Sequence, residues 1–545
     1  MFRWYDSRGK NSRCYRMKKK KFLVFSAYQD DLDFARASLY TLPLLIVALY
    51  ILLLSHGINL VTADLGRHIE NGRMLLGGGW HTLTTNAYSY TYPDFPVLNH
   101  HWLSGVFFYL VFRISGFAGT HLAFLAASAA AFLIFLRIAQ KKAGLFLAST
   151  AALLFLPVIA ERTEVRPEAL SYLLAGIFFF LLLKYREGGL SGKMLALGLG
   201  LLQALWVNLH IYFFVGWVLV GTFLFESILA TGFKSARTKA FGLIFVLVLA
   251  ASLVNPFTYH GALAPLTIFH EYGYRLVENQ PVWFLQKVMN RPNLLYFEVM
   301  LALLVVSFIP TLVRNRKKVQ PAELIFALGF GAAGALALRN FTIFGLFAFP
   351  LFAENIARLF PAGAVSSRVP KRMLAGAVLL VILLFATGEM RKVYAYPPLA
   401  IGLLSGNDGS ARFFLEHKLA GPVFNNYDIG GYLIHYLYPQ EKVFVDNRPE
   451  AYPSEFFKEV YIPMQENEDA WKEQDARFDF NAIVFSHHDY TPWAQQFLLA
   501  RVADPLWAPV YADEFVIIFL RRNEKNAALI SQFEIARERF VTTPS

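Results

Sequence analysis

Along its length the chain alternates long apolar runs with short polar breaks. The first run covers roughly 39 to 60, and others of about 15 to 21 residues follow near 102 to 116, 119 to 138, 144 to 160, 168 to 183, 192 to 207, 211 to 230, 240 to 254, 294 to 313, 321 to 338, 341 to 357 and 373 to 388. A helix of about 20 apolar residues reaches across hydrocarbon and satisfies its own backbone polar groups on the way. The twelve runs predict a mainly α-helical polytopic membrane protein with about 11 to 13 transmembrane helices. After residue 389 the pattern changes. Short β-rich runs at 422 to 424, 442 to 445, 482 to 485 and 515 to 520 alternate with amphipathic stretches at 454 to 464 and 493 to 502, which predicts a small α/β soluble domain over 390–545.

Lysine and arginine concentrate in every second break: Lys141 and Lys142, then Lys184 with Arg186 and Lys193, then 234 to 239, 314 to 318 and 358 to 372. Because basic loops stay on the cytoplasmic side, the alternation predicts a multi-pass protein of the cytoplasmic (inner) membrane. Residues 1–38 are then a basic cytoplasmic tail and 39–389 the transmembrane module. The first outer loop is 61–101, the second large outer loop is 257–292, and the C-terminal domain is extracytoplasmic. One conflict arises. With both the tail and Lys141 inside, the chain between them crosses an even number of times, yet it holds three runs. The shortest, 102 to 116, is therefore expected to be a juxtamembrane or re-entrant element.

Composition agrees with a membrane protein: 56% of residues are hydrophobic and 17% charged, against about 25% charged in soluble domains, and mean hydropathy is +0.41. A soluble enzyme and a disordered chain are both excluded. The net charge of +12 resides largely in residues 1 to 21, where nine Lys or Arg face the single acid Asp6, so it marks a membrane-flanking tail rather than a nucleic-acid surface. The single cysteine, Cys14, rules out intrachain disulfides and Cys-rich zinc sites.

Charged groups are costly near hydrocarbon, so their placement is informative. The dense polar clusters lie in breaks predicted to share the outer side: Asp64, Arg67 and His68; Asn99, His100 and His101; the segment from Glu161 through Arg162, Glu164, Arg166 and Glu168; Asn208 and His210; Asn255 with Pro256; and Arg339 with Asn340. Any one of these could be a helix cap or an interfacial pair. Their joint occurrence at one depth predicts a shared site. Asp64, Arg67, His68 and Asn71 recur at helical spacing and should form one polar face of a short surface helix. Gly77, Gly78 and Gly79 lack the Lys-Ser or Lys-Thr of a phosphate loop and read as a turn.

The order Asp-x-x-x-His-x-x-x-Gly from Asp64 to Gly72, then Ser89-Tyr90-Thr91 and Asn99-His100-His101-Trp102, is followed by Val165-Arg166-Pro167-Glu168, Trp206-Val207-Asn208-Leu209-His210, Asn255-Pro256 and Arg339-Asn340. This series resembles the GT-C glycosyltransferase superfamily, whose better-known branches are the protein O-mannosyltransferases and the lipid A aminoarabinose transferase. The resemblance covers roughly 40 to 350 and continues into Tyr427-Asp428-Ile429-Gly430-Gly431 and Asp446-Asn447-Arg448. It implies an inverting transfer of a sugar from a polyprenyl-phosphate carrier to a glycan, lipid or protein acceptor at the outer face. In that reaction a carboxylate accepts the acceptor's proton, and Asp64 is the expected catalytic base. Fixed cations receive the leaving phosphate. Arg166, Arg339 and Arg67 suit that task, with His68, His100, His101, Glu164, Glu168, Asn208, His210, Asn255 and Asn340 expected around the substrate.

Two positions depart from the family. Relatives commonly carry acids where this chain has Asn86 and His101, so Glu164 or Glu168 could take that part, or the imidazoles could hold a divalent metal. No His-x-x-x-His spacing decides the matter. Two other classes remain open: a flippase for lipid-linked glycans, and a noncatalytic envelope-assembly protein.

Overall fold

The apolar runs fold as helices whose ends fall at the polar breaks. The computed structural model describes residues 41–267, 272–360, 374–376, 378–383 and 399–540. The tail over 1–38 with Cys14, and most of the break at 358 to 372 and of the run at 373 to 388, lie outside the described residues. Helix α1 is Thr41–Leu54 and α2 is Leu65–Leu76, followed by α3 (Trp102–Ile159), α4 (Glu168–Arg186), α5 (Gly192–Leu209), α6 (Phe214–Thr231), α7 (Ala236–Ala251), α8 (Tyr259–Thr267), α9 (Val282–Val288), α10 (Pro292–Asn315), α11 (Pro321–Leu336) and α12 (Phe341–Ala357). Among the described residues six helices are long and apolar enough to cross a membrane by length and composition, and shorter apolar helices accompany them.

Local chemistry sets the boundaries. Ser191 and Ser235 accept from the backbone N–H three residues on and start α5 and α7. Pro292 and Pro321 stand at the first positions of α10 and α11, where a missing N–H costs nothing. Within α3, Gly116 (φ 61°) and Gly144 (φ 77°) adopt left-handed conformations open to glycine and divide it into three arms.

The two kinds of break separate in space. Lys142, Arg186, Arg237 and Arg358 gather around one cavity, while Asp64, His100, Arg166, His210 and Arg339 gather around another. Helix α4 joins the two ends, with Glu168 as its first residue and Arg186 as its last. The first arm of α3 does not make this journey. It packs on α2 so closely that a Cβ at Gly72 would collide with the Gly105 carbonyl. Phe112 and Phe117, on either side of the Gly116 kink, pack against His435 at 5.3 and 5.5 Å. Only the second arm carries the chain to Lys142, so the segment from Trp102 to the kink lies at the polar-cluster end.

The C-terminal region forms a four-stranded sheet ordered β1-β2-β4-β3, with β1 Val423–Asn425, β2 Ala482–Ser486, β3 Trp507–Ala512 and β4 Val516–Arg521. β1 and β2 are parallel and the other pairs antiparallel. Helices α13 (Gly409–Glu416), α14 (Gly430–Leu437), α15 (Glu468–Phe478) and α16 (Ala494–Ala503) accompany it. Two sequence expectations fail here. Residues 442 to 445 do not join the sheet, because the Asn425 side chain satisfies the Phe444 N–H and the Val445 carbonyl, and Val443 pairs instead with the first loop at Tyr88 and Tyr90. β3 was not expected. Pro509 interrupts its apolar pattern, and the register shifts between Pro509 and Tyr511.

The first loop and the C-terminal region are joined closely. Buried Arg448 donates to Asn86 at 2.7 Å, Asn86 donates to the Ala451 carbonyl, and the Leu60 N–H donates to Asn407 at 2.7 Å. Asn86 thus serves as a joint rather than as part of a reactive site.

Candidate active site

Helix α2 begins at Asp64, its N-cap, and the spacing of 64, 67, 68 and 71 places these residues on one face as the sequence predicts. Arg67, His68 and Asn71 are buried. Asn71 accepts from Tyr88 Oη at 2.7 Å, which commits it to holding the loop. The Asp64 carboxylate is one fifth exposed and lies 3.3 Å from Arg166 Nη1 and 3.8 Å from Arg67 Nη2. After α2, Gly77 ends the helix and Gly78 takes a positive φ, so the three glycines form a turn.

The stretch before α4 supplies two guanidinium groups. Arg162 donates to Glu168 at 2.9 Å, and Arg166 donates to Glu164 at 2.7 Å. Arg339, in the short turn before α12, lies 3.5 Å from Glu168, donates to Asn279 at 3.1 Å and sits over the Tyr212 ring. A further carboxylate enters from the second loop. Glu278 accepts from Arg162 at 2.7 Å and from Arg166 at 3.1 Å, and it stands 3.9 Å from Arg339.

Asp64, Arg67, Arg166, Glu168, Glu278 and Arg339 line a cavity of about 360 Å³, whose wall also includes Tyr272, Tyr274, Asn447 and Glu450, with Arg162 outside it. A row of imidazoles closes one side. His101 is 3.9 Å from His100, 5.5 Å from His68 and 5.0 Å from His210, measured between ring centroids. Burial, reinforced by Arg67, lowers His68 well below its ordinary value; burial takes His100 down to about 4, and burial with the neighbouring imidazoles lowers His101. The row is therefore neutral at pH 7. Burial raises Asp64 despite the pull of Arg166 and Arg67 in the other direction, which makes it a stronger base than a solvated aspartate. Burial would also raise Glu278, but Arg166, Arg162 and Arg339 outweigh it and hold that carboxyl well below the usual range.

Four buried polar atoms on this wall have no hydrogen-bond partner: His68 Nδ1, His100 Nε2, Arg339 Nε and Asn447 Nδ2. An unsatisfied buried group is costly, so atoms like these mark a place prepared for water or a ligand. A metal fits less well. Among the described residues no three His, Cys, Asp or Glu side chains are grouped to hold one ion. His210 Nδ1 is already engaged with Ser171 at 2.9 Å.

Of the residues expected at the site, Asp64, Arg67, His68, His100, His101, Arg166, Glu168, His210 and Arg339 line the cavity. Glu164 does not. It lies outside the wall, 45% exposed, paired with Arg166. Three asparagines also stand outside the cavity wall, and their amides are engaged by the protein's own groups. Asn208 accepts from Trp102 Nε1 and donates to the carbonyls of Ala204 and Val254. Asn255 caps its own turn through Ser252, Phe257 and Thr258. Asn340 joins Tyr212 to the Ala333 carbonyl. Sequence reading missed Glu278, Tyr274 and Glu450. The second loop carries Glu271 and Glu278, and nothing in their spacing distinguishes the one that reaches the arginines.

No protein-family profile and no curated protein sequence matches this chain. Solved structures do. The Archaeoglobus fulgidus oligosaccharyltransferase tethered with an acceptor peptide containing the NVT sequon aligns with a TM-score of 0.55 at 12% identity, over 90% of this chain and 74% of that one. The same protein in complex with Zn and sulfate aligns with a TM-score of 0.52 at 14% identity, over 88% and 73%. ArnT from Cupriavidus metallidurans in the apo state aligns with a TM-score of 0.50 at 14% identity, over 91% and 98%. The fold is that of the GT-C membrane glycosyltransferases.

Proposed function

We propose that this GT-C-fold protein is an inverting glycosyltransferase that moves a sugar from a polyprenyl-phosphate carrier to a glycan, lipid or protein acceptor at the outer face of the cytoplasmic membrane. The observation that carries this reading is the Asp64 carboxylate set 3.3 Å from Arg166 on the wall of a cavity that Arg67 and Arg339 also line. The acceptor oxygen attacks the anomeric carbon from one face, and its proton passes to Asp64. The bond to the phosphate oxygen breaks on the opposite face, and the phosphate keeps the electron pair. Arg166 and Arg339 stabilise the charge that grows there, and guanidinium groups grip phosphate oxygens in pairs. The neutral imidazoles of His68 and His100, each with an unpartnered ring nitrogen, offer hydrogen bonds to sugar hydroxyls or phosphate.

The gathering of basic breaks at the opposite end of the bundle supports an outward-facing cavity, since such loops remain in the cytoplasm. A prenyl tail can lie between helices in the lipid, so only the phosphate and sugar need enter.

The test incubates membranes containing the protein with a radiolabelled polyprenyl-phosphate sugar and follows transfer. Asp64→Asn should express normally and lose about 10²- to 10⁴-fold in rate, the range of a general base. Arg166→Ala should lose about 10²- to 10³-fold, the range of a group that stabilises a developing anion. Wild-type rates in Asp64→Asn would remove Asp64 from the mechanism.

A further inference from the structure

Glu278, on the cavity wall, answers three guanidinium groups: Arg166 and Arg339 on the same wall and Arg162 outside it. Glu278 is approached by Arg162 at 2.7 Å, Arg166 at 3.1 Å and Arg339 at 3.9 Å. Each arginine also has a second acid: Glu168 for Arg162 and Arg339, and Glu164 and Asp64 for Arg166. The arginines would thus remain paired if Glu278 withdrew. Glu278, by contrast, has only the arginines among the described residues.

The two sides of this contact are anchored differently. Arg162 and Arg166 precede a membrane helix whose first residue, Glu168, is buried. Glu278 belongs to the single turn Val277–Asn279, none of whose residues is buried, and Val277 is 46% exposed. Moving the turn uncovers little of its own apolar surface and releases one hydrogen bond, from Arg339 to Asn279, whereas moving Arg162 and Arg166 would break the start of α4. Converging guanidinium groups around one anion also suit a phosphate oxygen. Two anions cannot share that seat without repelling each other.

We propose that Glu278 is a displaceable counter-ion. Without donor its carboxylate occupies the place beside Arg166 and Arg339 that the donor's phosphate takes, and the turn Val277–Asn279 withdraws as the phosphate enters. This exchange rests on the transferase reading of the cavity and makes Glu278 a positioning residue for it. A permanent structural ion pair predicts the opposite sign: loss of Glu278 would then weaken ligand binding by disordering the arginines.

The experiment uses the full chain in nanodiscs with undecaprenyl phosphate as the probe and inorganic phosphate as a second arm. Glu278→Gln should bind the lipid phosphate about tenfold more tightly than wild type, because its internal competitor has lost its charge. Tighter binding of inorganic phosphate as well would assign the gain to the phosphate group, and a gain confined to the lipid would overturn the exchange, since the carboxylate competes for the phosphate alone. A second measurement is independent of that variant's folding. In a Cys14→Ser background, Val277→Cys should react faster with a maleimide when undecaprenyl phosphate is added. Equal or weaker binding by Glu278→Gln, or unchanged or slower labelling at Val277→Cys while wild type still binds the lipid, overturns the counter-ion exchange and leaves the transferase reading standing. Absence of binding to either probe by wild type and variant alike overturns both.

Discussion

Among the described residues two charged cavities are of similar size, about 360 Å³ beside Asp64 and about 440 Å³ at the opposite end. Both are walled by arginines and glutamates drawn from several helices, and composition alone would not tell them apart. Their internal accounts differ. At the opposite end Lys142 pairs with Glu354, Arg358 with Glu323 and Glu354, and Arg186 with Glu226, while Glu226 also accepts from the Ala322 N–H at the start of α11. None of the residues lining it has an unpartnered buried side-chain atom. Beside Asp64, four such atoms belong to lining residues and one glutamate is shared by three arginines. Paired charge with its buried polar atoms partnered ties helix ends together. Unfinished hydrogen bonding around a similar volume is what a ligand completes.

Exchanging the damage between the two ends breaks this contrast most directly. Asp64→Asn should abolish transfer, as above, and leave thermal stability within about 0.5 kcal/mol of wild type, because it sits at a partly exposed helix cap. Glu323→Gln should do the reverse. It leaves the Arg358 guanidinium short of a buried partner, a loss of about 3 kcal/mol, which a thermal melt in detergent would register. Its transfer rate per folded molecule should equal that of wild type. A rate loss in Glu323→Gln as large as that in Asp64→Asn would show that the two cavities are coupled and would undo the distinction.

The pH profile sharpens the comparison further. The base form of Asp64 is the active one, so transfer should fall as pH drops through its carboxyl value, and burial places that limb above the range of a solvated aspartate. The charges of Glu278 and Glu164 push in the same direction, so Glu278→Gln should move the acid limb to lower pH, whereas Glu323→Gln should leave it in place. Asp428 is a second group to watch. Burial, Asp489 and Asp64 push its carboxyl to about 7, so on the acid side of that value it is already neutral, and Asp428→Asn should leave the acid limb close to its wild-type position. A limb that stays at its wild-type pH in Glu278→Gln would mean that Asp64 is not the group being titrated.

The smallest effect should come from the framework asparagines. Asn208→Ala removes the acceptor for Trp102 Nε1 and two bonds to carbonyls, costing about 1 to 3 kcal/mol in stability. Its effect on transfer should stay within tenfold, arising from looser placement of His100 and His101 beside Trp102. A larger rate loss with unchanged melting would return Asn208 to the substrate's surroundings.

Much of this was legible before any tertiary structure. The apolar runs marked the helices, since a segment in hydrocarbon must close its own hydrogen bonds. The parity of the basic breaks singled out the segment from Trp102 to Gly116, which packs along α2. The face formed by Asp64, Arg67 and His68 followed from helical spacing. Less legible were residues whose role depends on distant partners. Asn208, Asn255 and Asn340 resemble ligand groups in sequence, but their amides face carbonyls one or several turns away. Residues 442 to 445 have a strand's composition, yet Asn425 takes the hydrogen bonds a neighbouring strand would have made.

What the sequence determined by itself is the set of properties carried by local pattern: the apolar helices, the separation of basic breaks from mixed polar ones, and the polar face of α2. Hydropathy and helical periodicity act over a few turns and need no knowledge of the rest of the chain. Only the tertiary structure decided which polar groups meet. Glu278 reaches Arg162 across 116 positions and Arg67 meets Asn447 across 380. Side-chain hydrogen bonds act over about 3 Å, so whether an amide is free for substrate or a carboxylate faces three cations depends on packing between distant segments.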